Sequence, residues 1–547
     1  MKRSHHVRVR DERSPSPRSL GWPPISIGRG RILLTLNQSR SVVVVPFLTF
    51  TVWVCAVEST ILLAEKVFMG SVSLLEKILR RRSGRIYPCA PLVEDEELGT
   101  AAYPMVIVQI PMYNEKEVYH LSIGAACSLQ WPADRLVVQV LDDSTAFFSS
   151  GVLQDLVQKC QKWLAKGVDL TYETRGDRRG YKAGALEGMK LSYFKECDYV
   201  AIFDADFQPE SDFLIRTVPL FALVQARWKF VKANECLMTR MQEMSMDYHF
   251  KVEQESGSSA YAFFGFNGTA GVWRTHAINE AGGWKDRTTV EDMDLAIRAT
   301  LLGWKFIYLG DVKVPIPSTF KAYRNQQHRW SCEPETLVWK IAMEIVNNKF
   351  LTQYIVILQK VSLWRKFYLM YNFFLVRRII FHLVTFCYSS IVIPTLPFFP
   401  EVQIPFWSIG YIPIMITLLN CVGTPRSIHL VVLSFLFENV MSLHPSKVVI
   451  IGLLEVGRVN EWVVTKKLGP NPNMSQTGGC KFSWNAIAKY FTRFHLLELG
   501  VGIYLVVCTS YNYAHHKNYY FIFIYLQSLA FIIVGVGYVG IFIPNSK

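Results

Sequence analysis

Residues 198–207, DYVAIFDADF, decide the fold of this chain, because an apolar run ends there directly in two aspartates separated by one residue. Three further runs rich in β-branched residues precede it, at 105–110, 135–141 and 168–173, and amphipathic helical patterns separate them. This alternation predicts an α/β domain with a mostly parallel sheet and helices on both faces. Ligands of such sheets bind beyond the carboxyl ends of the strands, so the aspartates are expected in a binding cleft.

The composition of the 547 residues excludes a simple soluble enzyme. Half of the residues are hydrophobic and 19% are charged, whereas a typical soluble domain has about 25% charged residues. Apolar runs of roughly the 20 residues that a membrane-spanning helix needs account for the difference. Five such runs lie at 41–64, 379–399, 404–424, 495–514 and 519–543.

The region 425–494 has a less regular pattern. Its apolar runs, 428–443 and 448–456, are short and are interrupted by acids, a histidine and a proline. They are predicted to be interfacial or re-entrant, and the polar stretch 457–494 to be an exposed loop. Counting five crossings then returns this loop to the side of the globular domain.

The net charge of +14 is compatible with nucleic acid, anionic lipid or an anionic small substrate as partner. Residues 1–40 hold nine Lys and Arg against two acids and are predicted to form a disordered basic tail. The tail does not have the pattern of a groove-reading module, so no nucleic-acid partner is expected. The eleven scattered Cys indicate reduced thiols, and the first apolar run a retained anchor.

Two acidic pairs directly follow predicted strands. Asp204 and Asp206 can jointly hold a divalent cation, which can neutralise a diphosphate. Asp142 and Asp143 occupy the same position after the strand at 135–141. The alternative for each pair is a turn or a helix N-cap.

A third acidic pair and a basic loop suggest further chemistry. Glu291 and Asp292 open an amphipathic helix, where a carboxylate at a pocket edge can act as a general base or merely complement the helix dipole. Lys182 lies in the Gly-interrupted basic stretch 175–188, which suits phosphate oxygens unless it is a solvated loop.

The segment QQHRW at 326–330 combines an amide, a guanidinium and an indole before an apolar region. The ring of Trp330 can stack on a sugar, and Gln326 and Arg329 can bind hydroxyls or phosphate. The alternative is an interfacial Trp-Arg anchor. The Gly-rich segment 263–273, FFGFNGTAGVW, is too polar for a core strand and suggests backbone close to a ligand.

The order of these motifs resembles the processive family 2 glycosyltransferases, the cellulose and chitin synthase group with its D, DxD, ED and QxxRW motifs. The match covers roughly residues 100–340. YPMVIVQIPMYNE, GYKAGALEGMK, FNGTAGVWR, TVEDMDLAIRA and QQHRWSC are similar to the plant cellulose-synthase-like subgroups A and C. The length favours subgroup A, the mannan and glucomannan synthases.

The resemblance implies a GT-A catalytic domain between membrane helices, with these expected boundaries. The anchor is 41–64 and the catalytic domain 100–345; an interfacial helix with two spans covers 365–424, the gating region 425–494 and two further spans 495–543.

The resemblance also implies a role for each candidate residue. Asp143 and Asp292 would be catalytic, Asp292 as the general base, and Mn²⁺ or Mg²⁺ would bind Asp204 and Asp206. The donor would contact Asp142, Lys182, Gln326 and Arg329, and the acceptor would contact Trp330, Asn267 and Gly268.

Two positions depart from the family patterns. Residues 462–467, WVVTKK, are similar to the FxVTxK gating loop with Trp in place of Phe, and the resemblance gives Thr465 and Lys467 to the donor. Glu333 stands where a Gly is usual, which allows a weakly active paralogue.

The resemblance therefore implies a synthase of β-1,4-mannan or glucomannan in the Golgi membrane. Its expected partners are GDP-mannose, GDP-glucose, the growing β-1,4-glycan and the lipid bilayer. A glucan synthase that uses UDP-glucose is the alternative within the enzyme class, and a transporter or scaffold with a nucleotide-binding domain is the alternative outside it. Basic residues flanking the spans favour a cytosolic active site, whereas the basic tail favours the opposite orientation.

Overall fold

The computed structural model describes most of the globular domain and the membrane helices. The chain divides into two compact units, Met1–Thr51, of which residues 40–51 are described and helical, and Val52–Lys547. The basic tail over 1–39, Arg329, Glu333 and the gating motif at 462–467 lie outside the described residues. The described residues are 40–79, 99–115, 119–144, 150–175, 178–188, 196–218, 222–231, 234, 236–315, 326–327, 330, 337, 362–453, 494–515 and 520–537.

The globular domain is built on a seven-stranded sheet with the strand order β3-β2-β1-β4-β6-β5-β7. The four strands predicted from β-branched runs are confirmed as β1 to β4. The strands are β1 (Val106–Met112), β2 (Leu136–Asp142), β3 (Asp169–Thr174), β4 (Tyr199–Ile202), β5 (Leu223–Val231), β6 (Gly271–Arg274) and β7 (Phe306–Pro315).

Most strand pairs in the sheet are parallel, as predicted. β1 pairs in parallel with β2 and β4, β2 with β3, and β5 with β7. β6 runs antiparallel to both of its neighbours, β4 and β5. The carboxyl ends of β2 and β4 therefore lie at one edge of the sheet, and the chain enters β6 from that same edge.

The prediction that 263–273 is too polar for a core strand is wrong for its end, because β6 begins at Gly271 in the middle of the sheet. A Cβ at Gly271 would lie 2.4 Å from the ring of Phe266 and 3.1 Å from Leu223. The glycine therefore allows close packing of neighbouring rings rather than marking a loop.

Helices cover both faces of the sheet and continue into the membrane region. In chain order the longer described helices are α1 (Arg40–Ile78), α2 (Tyr119–Cys127), α3 (Ser150–Leu164), α4 (Tyr181–Gly188), α5 (Phe213–Thr217), α6 (Leu237–Tyr248), α7 (Gln254–Tyr261), α8 (Thr275–Glu280), α9 (Glu291–Leu301), α10 (Leu363–Phe398), α11 (Phe406–Gly423), α12 (Pro425–Ile450), α13 (Leu496–His515) and α14 (Tyr520–Gly535). A short π-helical segment, His249–Glu253, joins α6 to α7.

Alternate side chains of the strands enter separate cores on the two faces. On β1, Ile107 lies in a core with Trp273 and Phe306, whereas Val106 and Val108 lie in the other. Because nearly every residue of β1, β2 and β4 is buried, these strands are largely apolar, and this is why their sequences show β-branched runs.

Five described helices, α1 and α10 to α13, are long and apolar enough to cross a membrane by length and composition. Their number agrees with the sequence prediction, but the set differs. The two runs predicted to be interfacial or re-entrant join in one continuous helix, Val431–Leu453, with Pro445 inside it. Within the predicted span 519–543, the described residues form α14, Tyr520–Gly535.

Candidate active site

The candidate site lies at the carboxyl ends of β2 and β4, where the sequence motifs meet. β2 ends at Asp142, and Asp204 and Asp206 follow β4 by two and four residues. The N-terminus of α9, with Asp292 in its first turn, faces the same region. Chain folding thus brings together acids from three distant parts of the sequence.

The first acidic pair is engaged by residues of the domain itself. Asp142 accepts hydrogen bonds from the hydroxyl of Tyr172 at 2.8 Å and from the backbone N–H of Ser144 at 2.9 Å. The bond to Ser144 is a turn of the kind that the sequence left open for an Asp after a strand. Both Asp142 and Asp143 are buried.

Asp143 forms a two-point ion pair with Arg175, a residue that the sequence analysis did not single out. The same guanidinium donates to the backbone carbonyls of Arg179 and Tyr181. Asp143 therefore fixes the basic loop that leads into α4. Arg175 is the first residue of the basic stretch 175–188, and this position is the sequence feature from which it could have been predicted.

Lys182 is the central cation of the site and is 8% exposed. Its ammonium donates to Asp204 Oδ1 at 2.7 Å and to the carbonyl oxygen of Gly268 at 2.8 Å. Burial lowers the pKa of Lys182, but the carboxylates of Asp204, Glu291 and Asp292 outweigh it and raise the pKa overall. The alternative of a solvated basic loop is thus wrong for this lysine.

Asp292 lies beside this cation at the start of α9. Its carboxylate accepts a hydrogen bond from the backbone N–H of Met293 at 2.7 Å. Burial raises the pKa of Asp292 to about 6, whereas the charge of Lys182 and the backbone hydrogen bond act in the opposite direction. A carboxylate with such a pKa is ionised near neutral pH and still basic enough to accept a proton.

Gly268 is required where it stands, for two physical reasons. Its φ is +75°, a conformation that other residues rarely adopt. A Cβ there would lie 2.8 Å from Asp292 Oδ2 and 3.5 Å from Lys182 Nζ. The backbone therefore forms a wall directly against the carboxylate, as the Gly-rich sequence suggested.

Asp204 and Asp206 offer a donor set that fits a small divalent cation. Asp204 is partly exposed and donates its backbone N–H to the hydroxyl of Thr269 at 2.9 Å; Asp206 is buried. No group of three His, Cys, Asp or Glu side chains with metal-binding geometry occurs among the described residues. Mg²⁺ commonly binds through one or two carboxylates, with water and substrate phosphates completing its shell, so the pair is sufficient.

Trp330 joins the site through a row of aromatic rings. Its ring centroid lies 6.4 Å from that of Trp228, and Trp228 lies 5.7 Å from Phe207. Phe207 is the residue after Asp206, so this row of rings connects the QxxRW tryptophan to the segment that carries the acidic pair. Gln326, like Trp330, is half-buried.

Asn267 is held by two buried glutamines that carried no signal in the sequence. Its backbone N–H donates to Gln225 and its side chain exchanges hydrogen bonds with Gln254. Thr269, the residue after Gly268, is fully buried.

The model of the family described as Glycosyl transferase family group 2 matches residues 199–419. Glucomannan 4-beta-mannosyltransferase 1 of Oryza sativa subsp. japonica is 57% identical over 521 residues, which cover 93% of this chain and 97% of that protein. Glucomannan 4-beta-mannosyltransferase 9 of Arabidopsis thaliana is 56% identical over 523 residues, 94% of this chain and 95% of that protein. The chain belongs to the family of glucomannan 4-beta-mannosyltransferases.

The predicted membership of plant cellulose-synthase-like subgroup A is thereby confirmed, as is the predicted α/β fold of GT-A type among membrane helices. A solved structure, the mannosyltransferase PcManGT from Pyrobaculum calidifontis in complex with GDP-Man and Mn²⁺, is similar with a TM-score of 0.45 and 16% identity. The similarity covers 74% of this chain and 100% of that chain. The family assignment rests on the sequence relatives.

We expect Gly268→Ala to destabilise the domain more than a matched glycine substitution outside the site. Gly167 also has a left-handed φ, +85°, but nothing lies within 4 Å of its added Cβ. Gly167→Ala should cost about 1 kcal/mol of unfolding free energy, and Gly268→Ala about 1–3 kcal/mol more because of the contact with Asp292. Thermal unfolding in detergent would measure both losses of stability. Equal losses in the two variants would contradict the close contact between Gly268 and Asp292.

Proposed function

We propose that this chain is a processive inverting glycosyltransferase that polymerises mannose, together with glucose, from GDP-sugars into the β-1,4-mannan or glucomannan backbone of plant cell-wall hemicellulose. One observation carries the proposal: Lys182, Asp204, Gly268 and Asp292 lie in contact with one another in a chain with membrane helices. The names of the sequence relatives supply the substrate class.

Asp292 is the general base of the proposed transfer. It takes the proton of the acceptor's 4-hydroxyl while that oxygen bonds to the anomeric carbon of the donor sugar. The bond from that carbon to the diphosphate oxygen breaks, and GDP leaves with the electron pair. A single displacement inverts the configuration, so an α-linked donor yields a β-linked product.

Lys182 binds the diphosphate end of the donor in this proposal. Its ammonium is held between Asp204 and the carbonyl of Gly268, so it is already oriented towards the cleft. Arg329 and Gln326 contribute further donor contacts, and Arg329 lies outside the described residues. Thr465 and Lys467, which also lie outside them, would cover the bound donor and exclude water.

Asp142 and Asp143 act at the nucleoside end of the donor. Because Arg175 pairs with Asp143 and Tyr172 with Asp142, their contribution includes fixing the loop that presents Lys182. Asp143 thus remains a proposed member of the catalytic set.

Mn²⁺ or Mg²⁺ is the proposed cofactor, and Asp204 and Asp206 would hold it. When bound, the cation would neutralise charge on the departing diphosphate.

The acceptor site is formed by Trp330 and by the backbone around Asn267 and Gly268. The indole provides a flat surface for the terminal sugar ring. The glycine brings the backbone against Asp292, so an acceptor lying on it has its hydroxyl close to the base.

We place the enzyme in the Golgi membrane with a cytosolic active site. Basic residues in the segments that flank the spans support this orientation. The apolar helices support a multi-pass membrane protein.

The variant Asp292→Asn tests the role of the base. It should lower the transfer rate on the order of a hundred- to ten-thousandfold, because the amide accepts no proton, while GDP binding is retained. The matched control is Asp212→Asn, at an aspartate directly before α5 whose side chain is 47% exposed. Full transfer by Asp292→Asn would refute the assignment and favour a transporter or scaffold.

The pH dependence of transfer follows from the raised pKa of Asp292. The base must be ionised, so the rate at saturating donor should fall as the pH decreases through about 6. Lys182→Met removes a charge that lowers this pKa and should move the midpoint to higher pH. The control Lys159→Met, on the exposed surface of α3, should leave it in place. If Lys182→Met leaves the midpoint of the pH profile unchanged or lowers it, the electrostatic effect of Lys182 on Asp292 is contradicted.

The donor nucleotide distinguishes a mannan synthase from a glucan synthase. Purified protein given labelled GDP-mannose should form a β-1,4-linked polymer that linkage analysis identifies, with GDP-glucose as co-donor. Incorporation from UDP-glucose alone would overturn the proposed substrate.

A further inference from the structure

A reciprocal pair of side-chain amides holds the segment 265–270, which we name the acceptor loop. Gln254 Nε2 donates to Asn267 Oδ1 at 3.0 Å, and Asn267 Nδ2 donates back to Gln254 Oε1 at 3.3 Å. Gln254 Nε2 also reaches the carbonyl oxygen of Gly265 at 3.4 Å. On the other side, Gln225 Oε1 accepts the backbone N–H of Asn267 at 3.2 Å.

The position of Asn267 determines where the next residue meets the base. Gly268 follows it directly; its carbonyl oxygen accepts a hydrogen bond from Lys182, and it lies against Asp292. Backbone geometry transmits a shift at Asn267 to Gly268 because one peptide unit joins them. The amide pair thus acts on the reaction centre from one residue away.

Gln254 is itself anchored to the membrane helices. Its Nε2 lies 3.2 Å from His249 Nε2, and His249 Nδ1 lies 2.9 Å from Glu253 Oε2. Arg377 of α10 lies 3.9 Å from Glu253 and donates to Glu65 of α1 at 2.6 Å. These charges are largely buried, so breaking one partnership is costly and the frame around Gln254 is rigid.

We propose that Gln254 is a positioning residue for the transfer step, acting through Asn267 to hold the acceptor loop so that the acceptor hydroxyl meets the Asp292 carboxylate. This inference rests on the proposed function. The side chain of Gln254 contacts Gly265 and Asn267 of the acceptor loop and His249. These hydrogen bonds do not involve Asp142, Asp143 or Asp204. The role therefore concerns the acceptor and not the donor.

Misplacement of the acceptor changes the competition between two nucleophiles. In transfer, the acceptor oxygen bonds to the anomeric carbon, GDP leaves and Asp292 takes the proton. In hydrolysis, a water oxygen bonds to the same carbon, the water gives one proton to the same carboxylate and the same GDP leaves. Water is small and needs no loop to orient it, so a displaced loop slows transfer more than hydrolysis. The ratio of the two products does not depend on how much of the protein is folded.

The experiment measures free mannose against polymer-bound mannose from labelled GDP-mannose, using the full-length protein in detergent. Gln254→Leu should raise the ratio of hydrolysis to transfer about tenfold, since it removes the hydrogen bonds that fix Asn267. Gln254→Asn, which keeps an amide on a shorter side chain, should give an intermediate ratio. GDP binding should be unchanged in both variants.

Two further variants test that Gln254 acts through Asn267. In an Asn267→Leu background, Gln254→Leu should change the ratio less than about twofold, because the pair is already broken. The matched control is Gln109→Leu: Gln109 donates to Gln139 at 2.9 Å, and this second buried amide pair lies within the sheet. Its loss should leave the ratio at the wild-type value.

The positioning role is overturned if Gln254→Leu leaves the ratio of hydrolysis to transfer unchanged. It is also overturned if Gln254→Leu raises this ratio a further tenfold in the Asn267→Leu background. An equal rise in Gln109→Leu also overturns it, since the effect would then follow from any lost buried amide. Absence of mannose transfer by the wild-type protein would instead refute the proposed function itself.

Discussion

The site depends on one buried ammonium group. Asp204, Glu291 and Asp292 all act electrostatically on Lys182, and carboxylates gathered at the edge of a low-dielectric core repel one another unless a cation compensates them. Lys182 provides that charge. Its hydrogen bond to the carbonyl oxygen of Gly268 holds the ammonium in place. The left-handed turn at Gly268, the start of α4 and the N-terminus of α9 are arranged around this contact.

A second set of ion pairs connects the globular domain to the membrane helices. Arg377 of α10 links Glu65 of α1 with Glu253, and Glu243 of α6 pairs with Arg426 at the start of α12. α1 also continues beyond the predicted span and packs on the domain, where Met69 accepts a hydrogen bond from Ser256. The cleft is thus held at a defined place relative to these helices, as a polymerase that works at a membrane requires.

Much of the fold was predictable because β1, β2 and β4 are buried on both faces and their composition reflects it. β5 and β7 were not predicted, since charged residues interrupt LVQARWKFV and FIYLGDVKVP. β6 was not predicted as a core strand because glycine usually weakens a strand, whereas here it makes room for Phe266. The helix over Val431–Leu453 was divided in two because its proline and polar residues were given more weight than its continuity. The lysine, the acids after strands and the acid at a helix start were found because each stands at a local boundary visible in the pattern.

The sequence by itself determined the elements and the kinds of chemical group: apolar runs specify which segments are buried, and acids at the ends of strands specify what the cleft contains. Tertiary structure alone decided which groups touch. Lys182 meets Gly268 across 86 positions and Arg377 meets Glu65 across 312, and the two glutamines that hold Asn267 stand in ordinary surroundings in the sequence. Local patterns report solvation and backbone preference, which act over a few residues, whereas hydrogen bonds and ion pairs depend on distances that only the packed chain defines.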